Sequence, residues 1–360
     1  MFSLTQTVLS VLLLSVGAHA AVAVKRNTTA TCNGYAEFCD RSYGNITYVG
    51  AHDSYAVSTT NLAANQDYNV TQQLKDGVRM LQLQAHNQSS TIQLCHTSCD
   101  LLNGGTLANY LDSVKIWMDE NPNDVVSLLI VNSYDNIPPA DYDTVFKSVG
   151  LDTMVYSPPS ATLTASGWPT LGSLISSGQR LVVFLTTEAN FQAVPYLINE
   201  FTNIWETAYD VTTTAFDCSV NRTDGDTSTQ MYLINHFLDS DVAGIPIPDK
   251  SQANVTNGVS GVGSLGQQTS TCTAEYHRPP NFMLVDFYEY GNGSVFEVAA
   301  SANGVTYAPT SPIATPITGS STGTGGGTSG SVPGLHITSL HVAATCAMIS
   351  GVLFGAWSIL

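Results

Sequence analysis

The stretch Thr47-Tyr48-Val49-Gly50-Ala51-His52-Asp53-Ser54-Tyr55 sets the reading of this chain. A short β-branched and aromatic run reaches a glycine, then an imidazole and a carboxylate, where a strand would empty into a loop. A second segment, Gly77-Val78-Arg79-Met80-Leu81-Gln82-Leu83-Gln84, follows, and then Leu94-Cys95-His96-Thr97-Ser98-Cys99. Two histidines at strand ends can serve one proton-transfer reaction as base and acid. The alternation Leu81 to Gln84 has period two, so the leucines share one face and Gln82 and Gln84 the other. In a barrel the leucines would meet the helices and the glutamines the interior, near the strand ends where barrel enzymes build sites. Arg79, by the same parity, points away from Gln82 and Gln84.

Outward from these motifs, Val125 to Val131, Leu181 to Leu185 and Phe282 to Phe287 are nearly continuous apolar runs. Such runs suit strands covered on both faces, as in parallel sheets. Between them, Leu107, Tyr110, Leu111, Val114, Trp117 and Met118 form a helical stripe that Asn121-Pro122 ends. Leu171 to Ile175 and Ala193 to Phe201 are weaker helix candidates. Strand and helix alternate, which predicts a parallel sheet, open or closed into a barrel. Residues 27–308 have the length of one α/β barrel. No Walker loop is present, which argues against a P-loop nucleotide site. Asp286, inside Leu284-Val285-Asp286-Phe287, needs a partner because a lone buried carboxylate is costly; a histidine would serve. A serine hydrolase built on Ser54 lacks its Gly-x-Ser-x-Gly elbow. A mixed metal site from His52, Asp53, His96 and Asp286 lacks closely spaced ligands.

The two ends read as targeting segments. Residues 1–20 carry an apolar run and a small-x-small end, the pattern of a signal peptide, and 21–26 close on Lys25-Arg26 as a pro-segment. Residues 309–330 are Ser, Thr, Gly and Pro-rich, the composition of a flexible stalk. Residues 331–360 supply a ten-residue spacer (Val332 to His341) and an apolar tail, so a glycosylphosphatidylinositol (GPI) anchor is expected, attached at Ser329. The tail would take Cys346 with it and leave Cys32, Cys39, Cys95, Cys99, Cys218 and Cys272. An even count in a secreted chain implies disulfides, and proximity favours Cys32–Cys39, Cys95–Cys99 and Cys218–Cys272. Sequons at Asn27, Asn45, Asn69, Asn87, Asn221, Asn254 and Asn292 fit an extracellular glycoprotein. With 28 acidic against 11 basic residues, the chain is a poor partner for nucleic acid and has no polybasic patch for anionic lipid.

The order and spacing of these motifs resemble the phosphatidylinositol-specific phospholipase C X-domain superfamily, the phospholipase-C-like phosphodiesterases, and especially its secreted, anchored fungal and plant forms. The resemblance rests on Tyr48 to Ser54, on Gly77 to Gln84 with Leu94-Cys95-His96, on Leu107 to Asn132 with its Asn-Pro-x-Asp-Val-Val run, and on Phe282 to Gly291; it spans most of 33–305. It implies an α/β fold, a distorted TIM-type (β/α) barrel, and metal-free cleavage of an inositol phospholipid or related glycolipid at the cell surface. His52 would be the general base, His96 the general acid, Asp286 the group that orients His52, and Asp53 a support for the acid. Two departures stand out. Gln82 and Gln84 occupy positions where bacterial relatives carry an aspartate and an arginine. Gln84 and Asn132 stand where calcium-dependent animal enzymes carry acidic ligands, so no cofactor is expected and calcium lacks an acidic ligand set. Gln82, Gln84 and Asn132 are then expected to bind substrate through their amides, with His236 the best-placed substitute for the arginine, ahead of His86 and His277. The rival expectations are a catalytically degenerate barrel that binds phospholipid or glycan, and a structural surface glycoprotein.

Overall fold

The strands are, in chain order, β1 (Tyr48–Ala51), β2 (Met80–Gln88), β3 (Thr91–Cys95), β4 (Asn103–Thr106), β5 (Val126–Val131), β6 (Leu181–Leu185), β7 (Leu197–Asn199), β8 (Ile204–Glu206), β9 (Met231–Asn235), β10 (Asp239–Val242), β11 (Ile245–Pro248) and β12 (Phe282–Val285). The helices are α1 (Val70–Asp76), α2 (Leu107–Glu120), α3 (Pro139–Ser148), α4 (Leu171–Ser177), α5 (Glu200–Asn203), α6 (Ala253–Thr256), α7 (Leu265–Tyr276) and α8 (Ser294–Ala302). This computed structural model describes residues 31–317, except Ala243 and the side chain of Ile245. The signal peptide, the pro-segment, Asn27, Ser329 and the rest of the expected stalk and anchor signal lie outside the described residues.

The main sheet runs β7-β6-β5-β2-β1-β12-β9-β8, and all these neighbours are parallel. It curls into a distorted α/β barrel. The described strands β7 and β8 are not paired with each other, so a seam stays open, spanned by the single turn α5. A meander of β3 and β4 grows antiparallel from the far end of β2.

Side-chain parity divides the core in two. Leu81, Leu83, Leu128, Ile130, Val183 and Leu185 face outward and pack with α2 residues Leu107, Leu111, Val114 and Met118. Met80, Leu129, Phe184, Met231, Leu233, Phe282 and Leu284 face inward, over a plug from the N-terminal segment that includes Phe38, Tyr43 and Ile46. Tyr43 is fully buried, and its hydroxyl pairs with Ser127 Oγ at 2.6 Å, so this polar group is not left unmatched under the barrel. Arg79 lies outside, as parity requires: it pairs with Asp124 at 2.8 Å and covers the Trp117 ring.

Two expectations change. Ala193 to Phe201 is not a helix: it holds strand β7 and the start of α5. Pro195 interrupts the stretch, lacking an N–H and disfavouring helix before it, and Asn199 caps α5 by accepting from Thr202 N. Residues 309–317, expected to begin a free stalk, lie on the barrel instead. Ala314 N donates to Asp76 Oδ2 and Ile317 N to Asp67 Oδ2, each at 3.1 Å. Composition alone does not reveal such acceptors. The three disulfides are Cys32–Cys39, Cys95–Cys99 and Cys218–Cys272, the pairs that proximity favours. The six described sequon asparagines are all exposed.

Gly50 shows how tightly β1 is held between its neighbours. A Cβ there would meet Leu284 Cδ2 at 2.9 Å and Met80 Cβ at 3.2 Å. Gly50→Ala is therefore expected to cost about 1–3 kcal/mol of stability through overpacking, read as a lower midpoint in chemical denaturation with an unchanged slope.

Candidate active site

Three site residues share one backbone device. His52 follows β1, His96 follows β3 and Asp286 follows β12. The residue after each has positive φ: Asp53 at 38°, Thr97 at 58° and Phe287 at 45°. Left-handed conformations are uncommon for residues with a Cβ and cost about 1–3 kcal/mol each. Here they turn the chain sharply off the strand, so that imidazoles and carboxylates converge over the barrel mouth.

The convergence is close. His52 Nδ1 lies 2.9 Å from Asp286 Oδ1, and its Nε2 lies 3.9 Å from Asp53 Oδ2. His96 Nε2 lies 3.4 Å from the same Asp53 oxygen. His96 Nδ1 meets the Ala63 carbonyl at 2.7 Å. A carbonyl only accepts, so Nδ1 carries the proton and Nε2 is the nitrogen left for exchange. Asp53 is fully buried beneath both rings.

The electrostatics follow from that burial. Desolvation pushes the His52 imidazole down, but Asp286, Asp53 and Asp239 outweigh it and raise the group to about 9. Burial raises the Asp53 carboxyl, against the pull of the two histidines. Asp239, buried beside Asp286, is raised to about 7.

Gln82 and Gln84 sit in the cavity wall, yet they serve Asp53 first. Gln82 Oε1 accepts from Asp53 N at 2.6 Å. Gln84 Nε2 donates to Asp53 Oδ2 at 2.8 Å while its Oε1 accepts from Thr97 N at 2.9 Å, which ties the two histidine loops together. Asn132 is not a substrate group. Its amide closes a turn, donating to Ile137 O and accepting from Ile137 N and from the Tyr142 hydroxyl. His236 is not one either. It is fully buried, Nδ1 meets Gln268 Oε1 at 2.7 Å and Nε2 meets Thr256 O at 2.8 Å, and burial pushes it down to about 4. A fully buried ring with acceptors against both nitrogens cannot reach a substrate as an arginine would.

Sequence reasoning missed three features. Asn65 donates to Asp286 Oδ1 and lies 3.1 Å from His52 Nδ1. The Phe237 ring stacks on His52 at 3.7 Å and 5°. A polar wall of Glu200, Glu206, Arg222 and Asn235 lines the same open cavity as the two histidines. Arg222 is paired through Nε with Glu206 and lies over the Tyr209 ring. Glu200 is buried with both carboxylate oxygens unpartnered, and burial holds its carboxyl well above the usual range. Arg222 stands within the Asn221 sequon, which drew attention to the neighbouring residue instead. Among the described residues no group of three or more His, Cys, Asp or Glu side chains is placed to hold a metal ion, and no helix is long and apolar enough to cross a membrane.

The family model described as PI-PLC X 1 matches residues 38–303, which include all of these groups. The chain belongs to this PI-PLC X family. It is 41% identical over 278 residues to the PI-PLC X domain-containing protein 1 of Arthroderma benhamiae, covering 76% of this chain and 90% of that one. It is 49% identical over 289 residues to an uncharacterized secreted protein of the same fungus; the match covers 78% of this chain and only 65% of that relative's length. A point mutant of the phosphatidylinositol-specific phospholipase C from Staphylococcus aureus superposes with a TM-score of 0.50 at 15% identity, over 75% of this chain and 95% of that one. That likeness establishes the shared barrel.

Cys95 and Cys99 bracket His96. So short a loop contributes only about 2 kcal/mol to stability by chain entropy, but it fixes the histidine's loop. Cys95→Ser with Cys99→Ser is expected to lower turnover of a phosphodiester about 10-fold or more while moving the melting temperature only a few degrees, checked by kinetics beside calorimetry.

Proposed function

We propose that this chain is an extracellular phosphodiesterase of the phospholipase C type, acting on an inositol phospholipid or a related glycolipid by two-histidine acid–base catalysis. The observation that carries this is the pair of imidazole Nε2 atoms on either side of Asp53, 3.9 Å and 3.4 Å from its Oδ2, at the edge of one cavity. Neutral His52 takes the proton of the inositol 2-hydroxyl as that oxygen attacks phosphorus. Protonated His96 gives a proton to the departing glyceryl oxygen as the P–O bond breaks. The products are a cyclic phosphate and a diacylglycerol. Asp286 holds the imidazolium that forms on His52, and Asp53 Oδ2 lies within 4 Å of both imidazole Nε2 atoms.

Charge for the anionic phosphorane is the open requirement, since Gln84 is engaged through both amide atoms and Gln82, held through its Oε1, offers only a neutral amide donor. The arginine in the cavity wall is Arg222. With Nε committed to Glu206, its outer edge is free to donate to the head group. Its neutralisation by Glu206 favours the second reading, a barrel that binds lipid or glycan without turnover. Secretion is supported by the three disulfides, the exposed sequons and the secreted relative. Attachment by a GPI anchor at Ser329 to the outer membrane face or the wall belongs to the same proposal.

The test is release of cyclic inositol phosphate from phosphatidylinositol vesicles in excess chelator, followed by phosphorus NMR. His52→Ala and His96→Ala are each expected to reduce kcat about 10²–10⁴-fold. Turnover that requires calcium would refute the metal-free mechanism. Binding to vesicles with no turnover would instead establish the second reading.

A pH profile gives a second check. The carboxylates keep His52 protonated below about 9, and only the neutral ring accepts a proton. Because neutral His52 and protonated His96 are needed together, kcat/KM should give a bell-shaped profile with one inflection near 9. Asp286→Asn removes the nearest carboxylate and should move that inflection to lower pH.

A further inference from the structure

The run Asn65-Gln66-Asp67-Tyr68 faces two ways. Its first half grips the site. Asn65 Nδ2 donates to Asp286 Oδ1, and Asn65 O accepts from Phe287 N at 2.8 Å. Gln66 Nε2 donates to the carbonyls of His52 at 2.8 Å and Val285 at 3.1 Å. These bonds cross from the end of β1 to the end of β12 and fix the two backbones that carry the His52–Asp286 pair. Its second half grips the C-terminal segment. The Tyr68 hydroxyl donates to Thr315 O at 2.6 Å, and buried Asp67 accepts from Ile317 N at 3.1 Å.

Further contacts close the link. Lys250 pairs with Asp67, donates to Ile317 O at 3.4 Å and stands over the Phe287 ring at 5.0 Å, next to Asp286. Upstream, Tyr307 stacks on Phe296, and Asp76 Oδ2 accepts from both Ala314 N and the Tyr288 hydroxyl. The segment 307–317 is thus fastened at one end to α8 and at the other to the loop that aligns the catalytic pair.

We propose that residues 307–317 form a positioning strap: held at Asp67 and Tyr68, it sets Asn65 and Gln66, and through them the orientation of His52 toward the cavity. Activity then depends on a segment that touches no substrate. The catalytic meaning rests on the proposed function; the coupling itself does not. Asp53, Asp286 and Asp239 are the charged groups around His52, and Lys250 and Glu289 those around Asp67.

The test uses the full chain with Asp67→Asn, Tyr68→Phe and Ala314→Pro, which loosen the strap and leave Asn65, Gln66 and the catalytic residues in place. Two readouts are taken: kcat and KM on phosphatidylinositol vesicles, and the titration of the His52 ring protons by NMR, assigned with His52→Asn. The expected result is a kcat about 10- to 100-fold lower with KM little changed, and a His52 titration moved to lower pH in each variant. Tyr68→Phe, which removes one hydroxyl, keeps the test valid if Asp67→Asn fails to fold. Lower melting temperatures with kcat and the His52 titration both unchanged would overturn the proposal and leave the strap a stabilising element only. A moved titration in a protein without turnover would uphold the coupling and sink the proposed activity instead.

Discussion

Asp53 and Asp286 are taken out of water beside two imidazoles, and much of the barrel mouth is arranged to make that tolerable. A buried carboxylate is costly unless paired and hydrogen-bonded. Asp286 is met by His52 and Asn65. Asp53 is met by Gln84 at its side chain and by Gln82 at its backbone N–H. The two glutamines therefore have a physical role: Gln84 donates to the Asp53 carboxyl and Gln82 accepts from its backbone N–H, which holds the group in place between two rings. The consequence is a strongly basic His52 that keeps its proton past neutral pH.

Part of the backbone strain lies where the chemistry would occur. Left-handed backbone at Asp53, Thr97 and Phe287 bends three strand ends over one opening. Hydrogen bonds between Gln84 and Thr97, and from Phe287 to Asn65, hold those bends. The strap adds a third layer of support from a segment distant in sequence. Opposite lies the wall of Glu200, Glu206 and Arg222, near the seam between β7 and β8. An unpartnered carboxylate and a half-neutralised guanidinium there leave donors and acceptors for a polar head group.

Much of this was legible in the chain. Period-two alternation sent Gln82 and Gln84 inward and Arg79 outward, because successive side chains in a strand must face opposite sides. Asp286 announced a partner because an aspartate in an apolar run needs one. Asn132 and His236 misled for a shared reason. Both stand at strand ends, which is where sites form, but polar groups there are as readily consumed by the turns and helices that follow. Nothing local marks the difference. Asn65, Phe237 and Arg222 carried no motif, and the strap was hidden by a composition typical of free stalks.

The sequence by itself determined the alternating strands and helices, the parity of each strand, the favoured disulfide pairs and the identity of the candidate acid–base residues. These depend on spacing along the chain and on residue type, both of which are set before the chain folds. Only the tertiary structure decided which polar groups remain free for a substrate, how far His52 is shifted, and that the segment ending at Ile317 is tied to the site. Those properties arise from desolvation and from hydrogen bonds between residues as far apart as Asp67 and Ile317, and burial and partnership exist only once the chain has closed around them.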